Sequence, residues 1–325
     1  MHEFPDFIEQ IPEADRDGEV HFALGRVRQS RGDLAAARES LEAANRELPH
    51  HWEILQALIA VDRVEGRVDE SKDRVAAAIA AEPENSKLYL LRGVLMFNDG
   101  RIAEAESDFM HAVDLAPSDL QGYERLARFY TRTGRLEDTA RTYEAAVEAV
   151  PDAAPIHYVL AVLYERLGDA DRAIRRYESA LDFAPTNVEA QNNLAYLYAD
   201  RDENLDRALD LARSAMQQRP NNPSVADTLG WVLYKRGLYT AAVSHLKEAL
   251  SRSAPNNPSL PMIRFHLAQA LVANGEAEQA LRTVDLALLN LRAQRFARFK
   301  SGRVPGPEPQ WATDARALQA ELKPR

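Results

Sequence analysis

An all-α fold, built as a solenoid of antiparallel helix pairs, is predicted by three observations. Glycine falls at Gly32, Gly66, Gly100, Gly134 and Gly168, and proline at Pro49, Pro83, Pro117, Pro151 and Pro185. Both series step by 34 residues and stay locked in phase, and a fixed period of this length marks a repeat architecture. Between these punctuation marks, apolar residues recur at helical spacing. In residues 120–153 they are Tyr123, Leu126, Ala127 and Tyr130, then Thr139, Tyr143 and Ala146. Finally, the composition is 46% apolar and rich in Ala, Leu, Glu and Arg, which are strong helix formers. A chain of 325 residues is long for one hydrophobic core, but a solenoid escapes that limit because each unit packs only on its neighbours.

The elements follow in order. Residues 1–17 form an N-terminal extension, and five regular units occupy 18–51, 52–85, 86–119, 120–153 and 154–187. In each unit the glycine ends the first helix, where a left-handed backbone is needed. The proline closes the second helix, because it cannot continue one. The fifth unit repeats the buried slots with His157, Leu160, Ala161 and Tyr164, then Ala173, Tyr177 and Ala180. Small and large residues alternate there, so ridges fit into grooves. Gly25, Gly93 and Gly230 instead lie inside first helices, where glycine costs roughly 0.5–1 kcal/mol against alanine. Close helix–helix approach is the expected compensation. Asp62 and Arg92 occupy slots that are otherwise apolar.

Three further units are less regular. The sixth (188–222) has one extra residue and no turn glycine, and Asn204 is expected to take the left-handed position. The seventh starts at Pro223, and the eighth near Pro261 after the longer loop SAPNNPS. After Ala277 the helical pattern runs through Leu281, Val284, Leu288 and Leu291 as far as Lys300, until SGRVPGPEP breaks it. A last helix places Trp311, Ala315, Leu318 and Leu322 on one face and is expected to cover the final unit, since terminal repeats need capping. The expected domains are therefore the extension 1–17, a solenoid 18–290, and a basic capping segment 291–325.

The pattern resembles the tetratricopeptide repeat over about residues 18–290, carried by the recurring Tyr–Leu–Gly/Ala–Tyr and Ala–Tyr–Ala–Pro slots. The resemblance implies a right-handed superhelical solenoid of about eight units with a helical C-terminal cap. It also implies a protein-binding scaffold whose first helices line a concave groove through repeat positions 2, 5, 9 and 12. Units one, two and four offer mixed polar groups there, and unit three offers Lys87, Leu90, Val94 and Phe97. Units five to seven supply Tyr158, Val162, Asn192, Tyr196, Asp227, Trp231 and Tyr234, with Glu165 and Glu189 beside them. Exposed aromatics next to hydrogen-bonding groups have the composition of binding hot spots, and Asn192 offers both a donor and an acceptor to a peptide backbone. The competing reading is that Trp231 and Tyr196 only pack between adjacent first helices. The Lys/Asn pattern by which some family members grip a C-terminal carboxylate is not met, because unit six has Asn192 and Asn193 but Tyr196 at position 9. Asn192 to Gly237 is similar to bacterial repeat proteins of cell-envelope and exopolysaccharide export systems, which implies a scaffold in such an assembly.

Other function classes find little support. A net charge of −10 argues against a general nucleic-acid binder. With no cysteine, thiolate chemistry and disulfides are excluded. The eight histidines are scattered, and neither HExxH nor a glycine-rich phosphate loop occurs. The expectation is no enzyme, no cofactor and no metal. The N-terminus has neither a basic start nor an apolar run, and no stretch reaches membrane-span length. As written the chain is expected to be cytoplasmic, or periplasmic if it is the trimmed form of an exported protein. Residues 291–325 carry eight basic residues, including Arg292, Arg295, Arg298, Lys300, Arg303 and Arg325, against three acidic ones. Such a segment seeks anionic lipid, docks on its own acidic solenoid, or is simply solvated. Beside the scaffold reading stand a sensor domain for a small ligand or peptide and a membrane-surface subunit using this basic helix. Partner identity and oligomeric state are left open.

Overall fold

The computed structural model describes residues 4–301 and 304–323. Arg303 and Arg325 of the basic segment, and residues 1–3 of the N-terminal extension, lie outside the described residues. Among those described, helices are joined by short turns and no strand occurs. The chain divides into two compact units, Met1–Pro151 and Asp152–Arg325.

In the first unit a short helix α1 (Phe4–Glu9) precedes four helix pairs: α2 (Gly18–Ser30) with α3 (Leu34–Glu47), α4 (Trp52–Glu65) with α5 (Val68–Ala81), α6 (Ser86–Asn98) with α7 (Ile102–Leu115), and α8 (Leu120–Arg132) with α9 (Leu136–Ala149). The second unit has four more: α10 (Ala154–Leu167) with α11 (Ala170–Phe183), α12 (Val188–Asp200) with α13 (Leu205–Gln218), α14 (Pro223–Lys235) with α15 (Tyr239–Arg252), and α16 (Leu260–Ala273) with the longer α17 (Ala277–Lys300). A final helix, α18 (Trp311–Leu322), sets Trp311 against Phe265 with ring centroids 5.6 Å apart and packs Leu318 on the cluster of Phe265, Val284 and Leu288.

Local chemistry explains the punctuation. Gly134 has φ 79°, the left-handed value that glycine adopts without a Cβ clash. Between α12 and α13, where no glycine stands, Asn204 takes φ 43° as expected, and Asp202 joins it at φ 55°. Asp33, Asn85, Asp119, Asp169, Asn187 and Asn222 accept backbone N–H bonds at helix starts, satisfying donors that the helix leaves open. The helical glycines do mark close approach. A Cβ on Gly25 would stand 2.6 Å from Leu41 Cγ, and one on Gly230 would stand 2.6 Å from Leu246 Cγ.

The two polar departures are built as ion pairs. Asp62 is fully buried and accepts from Arg38 Nη2 (2.5 Å), Ser71 Oγ (2.7 Å) and Arg74 Nη1 (2.8 Å). It replaces, in the second repeat, the tyrosine that fills the same slot as Tyr130, Tyr164 and Tyr198. Arg92 grips Asp108 with two bonds, 2.9 and 2.6 Å long.

Candidate functional site

The first helices of the second unit, α10, α12, α14 and α16, carry the residues singled out from the sequence. On α10, Val162 is exposed and Tyr158 half-buried, its ring centroid 6.0 Å from that of Tyr177. Tyr177 donates its hydroxyl proton to the Glu165 carboxylate and accepts from Asn193 Nδ2 at 2.9 Å. Asn192 donates weakly to Asn193 Oδ1 (3.3 Å), and its own Oδ1 is buried with no hydrogen-bond partner. This chain of contacts fixes the α10–α12 floor by side-chain hydrogen bonds rather than by apolar packing alone.

Towards the C-terminus the arrangement differs from the expectation of exposed aromatics. Trp231 is 5% and Asp227 8% exposed. The cause is His266 on α16, a residue that sequence reasoning left among the scattered histidines. Its ring stacks on Trp231 at 4.3 Å and 19°, and its Nδ1 shares a 3.0 Å hydrogen bond with Asp227 Oδ1. Tyr234 also stacks on the indole, with ring centroids 5.0 Å apart, and the Lys235 ammonium lies 5.2 Å from the indole ring. Tyr196 stands 6.1 Å from the same His266 ring. Trp231 and Asp227 are thus largely buried by their neighbours. Tyr158, Val162, Asn192, Tyr196 and Tyr234 keep exposed or half-buried surface.

Further along these first helices Trp231 Nε1, Arg264 Nη1 and Gln269 Oε1 are, like Asn192 Oδ1, among the buried polar atoms of the described residues that have no hydrogen-bond partner. Gln269 holds position 9 of the eighth unit, as Trp231 does of the seventh. The repeat position alone marks it as a groove residue.

The electrostatics of this face are negative. Burial raises the Tyr196 hydroxyl pKa, and the carboxylates of Asp200, Asp227 and Glu165 raise it further. Tyr158 is raised by burial, then by Glu189 and Glu165. Burial also pushes the Glu165 carboxyl above the ordinary range, against the hydrogen bond from Tyr177. Of these acids, Glu189 is bridged by Arg219 at 3.0 Å.

The first unit presents a second concavity across α4, α6 and α8. Its floor includes Ile59, Leu90, Leu91 and Val94, and its edge carries Trp52, Lys87 and Arg125. Lys87 is bound to Asp119 and, at 2.7 Å, to Gln121 Oε1. Lys87, Leu90 and Val94 are groove positions of unit three; Trp52, Ile59 and Arg125 lie outside positions 2, 5, 9 and 12, so the repeat pattern does not point to them.

The family model for the tetratricopeptide repeat matches residues 111–293, more than half of the chain. The chain belongs to the tetratricopeptide repeat family. Further tetratricopeptide repeat models match residues 61–120 and 18–43. Similar solved structures include YrrB, described as a tetratricopeptide repeat protein with an unusual peptide-binding site. It is 18% identical with a TM-score of 0.49, covering 62% of this chain and 97% of that one. MamA from Desulfovibrio magneticus RS-1 is 16% identical over 53% of this chain and 94% of that one, with a TM-score of 0.46. A tetratricopeptide repeat protein from Parabacteroides merdae ATCC 43184 is 18% identical over 78% and 98%, with a TM-score of 0.41. No curated protein matches the chain. As a tetratricopeptide repeat chain it presents paired helices as an interaction surface. Among the described residues no group of three or more His, Asp or Glu side chains lies together as a metal would require.

Proposed function

We propose that this tetratricopeptide repeat chain is a non-enzymatic scaffold, and that the first-helix face of its second unit binds an extended, positively charged segment of a partner protein. The supporting observation is the run Asn192, Trp231 and Gln269. These three groove-position residues on successive first helices each leave a buried polar atom without a hydrogen-bond partner. Buried polar groups are ordinarily paired, and an unpaired one calls for an explanation. A peptide backbone, with donors and acceptors alternating along its length, supplies partners of both kinds. The side-chain preference comes from charge. Glu165, Asp200 and Asp227 surround Tyr196, and aromatic faces next to carboxylates suit lysine and arginine. A rigid repeat surface loses little freedom on binding. The resemblance of Asn192–Gly237 to envelope and exopolysaccharide export scaffolds supports placing the partner in a bacterial assembly of that kind.

Selection from a random dodecapeptide display library on the intact chain tests this reading. Enrichment of Lys and Arg over Asp and Glu is expected. The selected peptide is expected to lose about tenfold in affinity on Asn192→Ala or Tyr158→Ala, the loss typical of a groove residue worth over 1 kcal/mol. Acidic winners, or equal binding by both variants while circular dichroism shows an unchanged fold, would reject it.

A further inference from the structure

A different surface lies on α17. The helix runs 24 residues, whereas the seven other second helices have 14. The added turns project about 15 Å at 1.5 Å per residue. Its inner face is buried through Val284, Ala287, Leu288 and Leu291. On the opposite side Leu286, Leu289, Ala293 and Phe296 succeed one another at steps of three and four, forming one helical stripe. The large members of that stripe are open to solvent: Leu286 46%, Leu289 59% and Phe296 61% exposed, with Phe299 beside them at 69%. Exposed apolar side chains grouped in this way mark an interaction surface.

Charge decides what the stripe meets. From Leu286 to Ser301 there is no acidic residue, while Arg292, Arg295, Arg298 and Lys300 are all present, in a chain whose net charge is −10. Arg295 donates to the carbonyls of Gly306 and Pro307 (2.9 and 3.3 Å). The Lys300 ammonium lies 5.3 Å from the Phe296 ring. The nearby carboxylate of Glu308 is taken by Arg316. Arg292 and Lys300 beside an outward stripe of Leu and Phe, on a helix half with no acids, match the requirements of an interfacial helix on an anionic bilayer. A two-fold contact between copies through this face would instead set the same cations against one another, which opposes association.

We propose that the outer face of the C-terminal half of α17 docks on an anionic phospholipid surface, with Leu289, Phe296 and Phe299 entering the headgroup boundary and Arg292 and Lys300 meeting lipid phosphates. The face is separate from the α10–α16 surface, so the two readings stand or fall independently. No helix among the described residues is long and apolar enough to cross a membrane, and the docking is peripheral.

The test is flotation of the full chain with unilamellar vesicles, either pure phosphatidylcholine or phosphatidylcholine with about 30% phosphatidylglycerol, in about 50 and about 500 mM NaCl. Wild type is expected to float with the anionic vesicles only, and less in high salt. Phe296→Ser/Phe299→Ser and Arg292→Gln/Lys300→Gln are each expected to lower partitioning by about tenfold or more. Every substituted residue is exposed, and circular dichroism checks that both variants keep the fold. Absence of wild-type flotation with anionic vesicles would overturn the proposal, as would partitioning unchanged in both variants. So would a salt-insensitive dimer abolished by Phe296→Ser in sedimentation, which would assign the stripe to a second copy.

Discussion

Replacing Trp231 with alanine tests the packing of the second unit more sharply than its binding. The indole is 5% exposed, stacked on His266 at 4.3 Å and on Tyr234 at 5.0 Å. Removing a buried tryptophan costs about 3–5 kcal/mol in transfer and cavity terms. One contribution runs the other way. The indole Nε1 is buried without a partner, and deleting such a group recovers about 1 kcal/mol. The net expectation is a loss of about 3 kcal/mol. With a denaturant slope of about 2 kcal/mol per molar, the urea midpoint of the second unit falls by about 1.5 M. Circular dichroism reads the midpoint, and hydrogen exchange localises the loss to α14 and α16. Asn192→Ala removes only a 3.3 Å bond to Asn193, so its cost is expected to stay under about 1 kcal/mol. A Trp231→Ala midpoint equal to wild type would refute the claim that this stack holds α14 against α16. The contrast explains why Asn192 and Tyr158, rather than Trp231, are the informative probes of the surface.

Three further outcomes follow from particular contacts. Asp62→Ala strands the buried Arg38 guanidinium, although Glu65 still accepts from it at 2.8 Å, and is expected to cost about 3 kcal/mol. Arg38→Met/Asp62→Leu, which removes both charges, should lie within about 1 kcal/mol of wild type in the same urea titration. Gly230→Ala gains about 1 kcal/mol of helix propensity but drives a Cβ to 2.6 Å from Leu246 Cγ and 3.3 Å from its backbone nitrogen. Overpacking of this kind costs about 1–3 kcal/mol, so a lowered thermal midpoint is expected, and a raised one would contradict the close approach. Glu165, whose carboxyl pKa is raised by burial, holds its proton to higher pH in the folded chain than in the unfolded one. Its stabilising contribution is therefore present at low pH and lost as pH rises through the raised pKa. Glu165→Gln should gain on wild type in stability between acid and neutral pH, while wild-type affinity for the selected basic peptide should rise over the same interval. A pH-independent difference between the two proteins would rule this out.

Much of the architecture was open to inspection in the sequence, because the repeat imposes the same local demands at each turn. A left-handed residue must follow every first helix, and glycine or asparagine at that point announces it; Asn204 was found in this way. A residue without a side chain must stand where two helices touch, and Gly25, Gly93 and Gly230 announced that contact. The buried slots of the fifth unit are legible for the same reason, since positions three and four apart share a helix face. Asp62 is an instructive half-case. Its misfit with an apolar slot was visible, but Arg38 and Arg74, which make the misfit tolerable, lie 24 and 12 residues away.

The candidate site shows where that legibility ends. Groove positions can be counted along a helix, but exposure depends on what the next helix lays over them. Counting placed Trp231 and Asp227 on the surface. His266, 39 residues beyond Asp227, covers both, and nothing in the local pattern of either helix reports the other's side chain. The same holds for the outer stripe of α17. Its leucines and phenylalanines read as core when taken with Val284 and Leu288, and only the packing of α16 and α18 shows which face is left uncovered. Sequence alone determined the period, the helix ends and the backbone conformations of the turns, because those are set by residues within a few positions of one another. Tertiary structure alone decided which polar groups are paired and which apolar side chains meet solvent. Pairing and exposure depend on atoms brought together from distant parts of the chain.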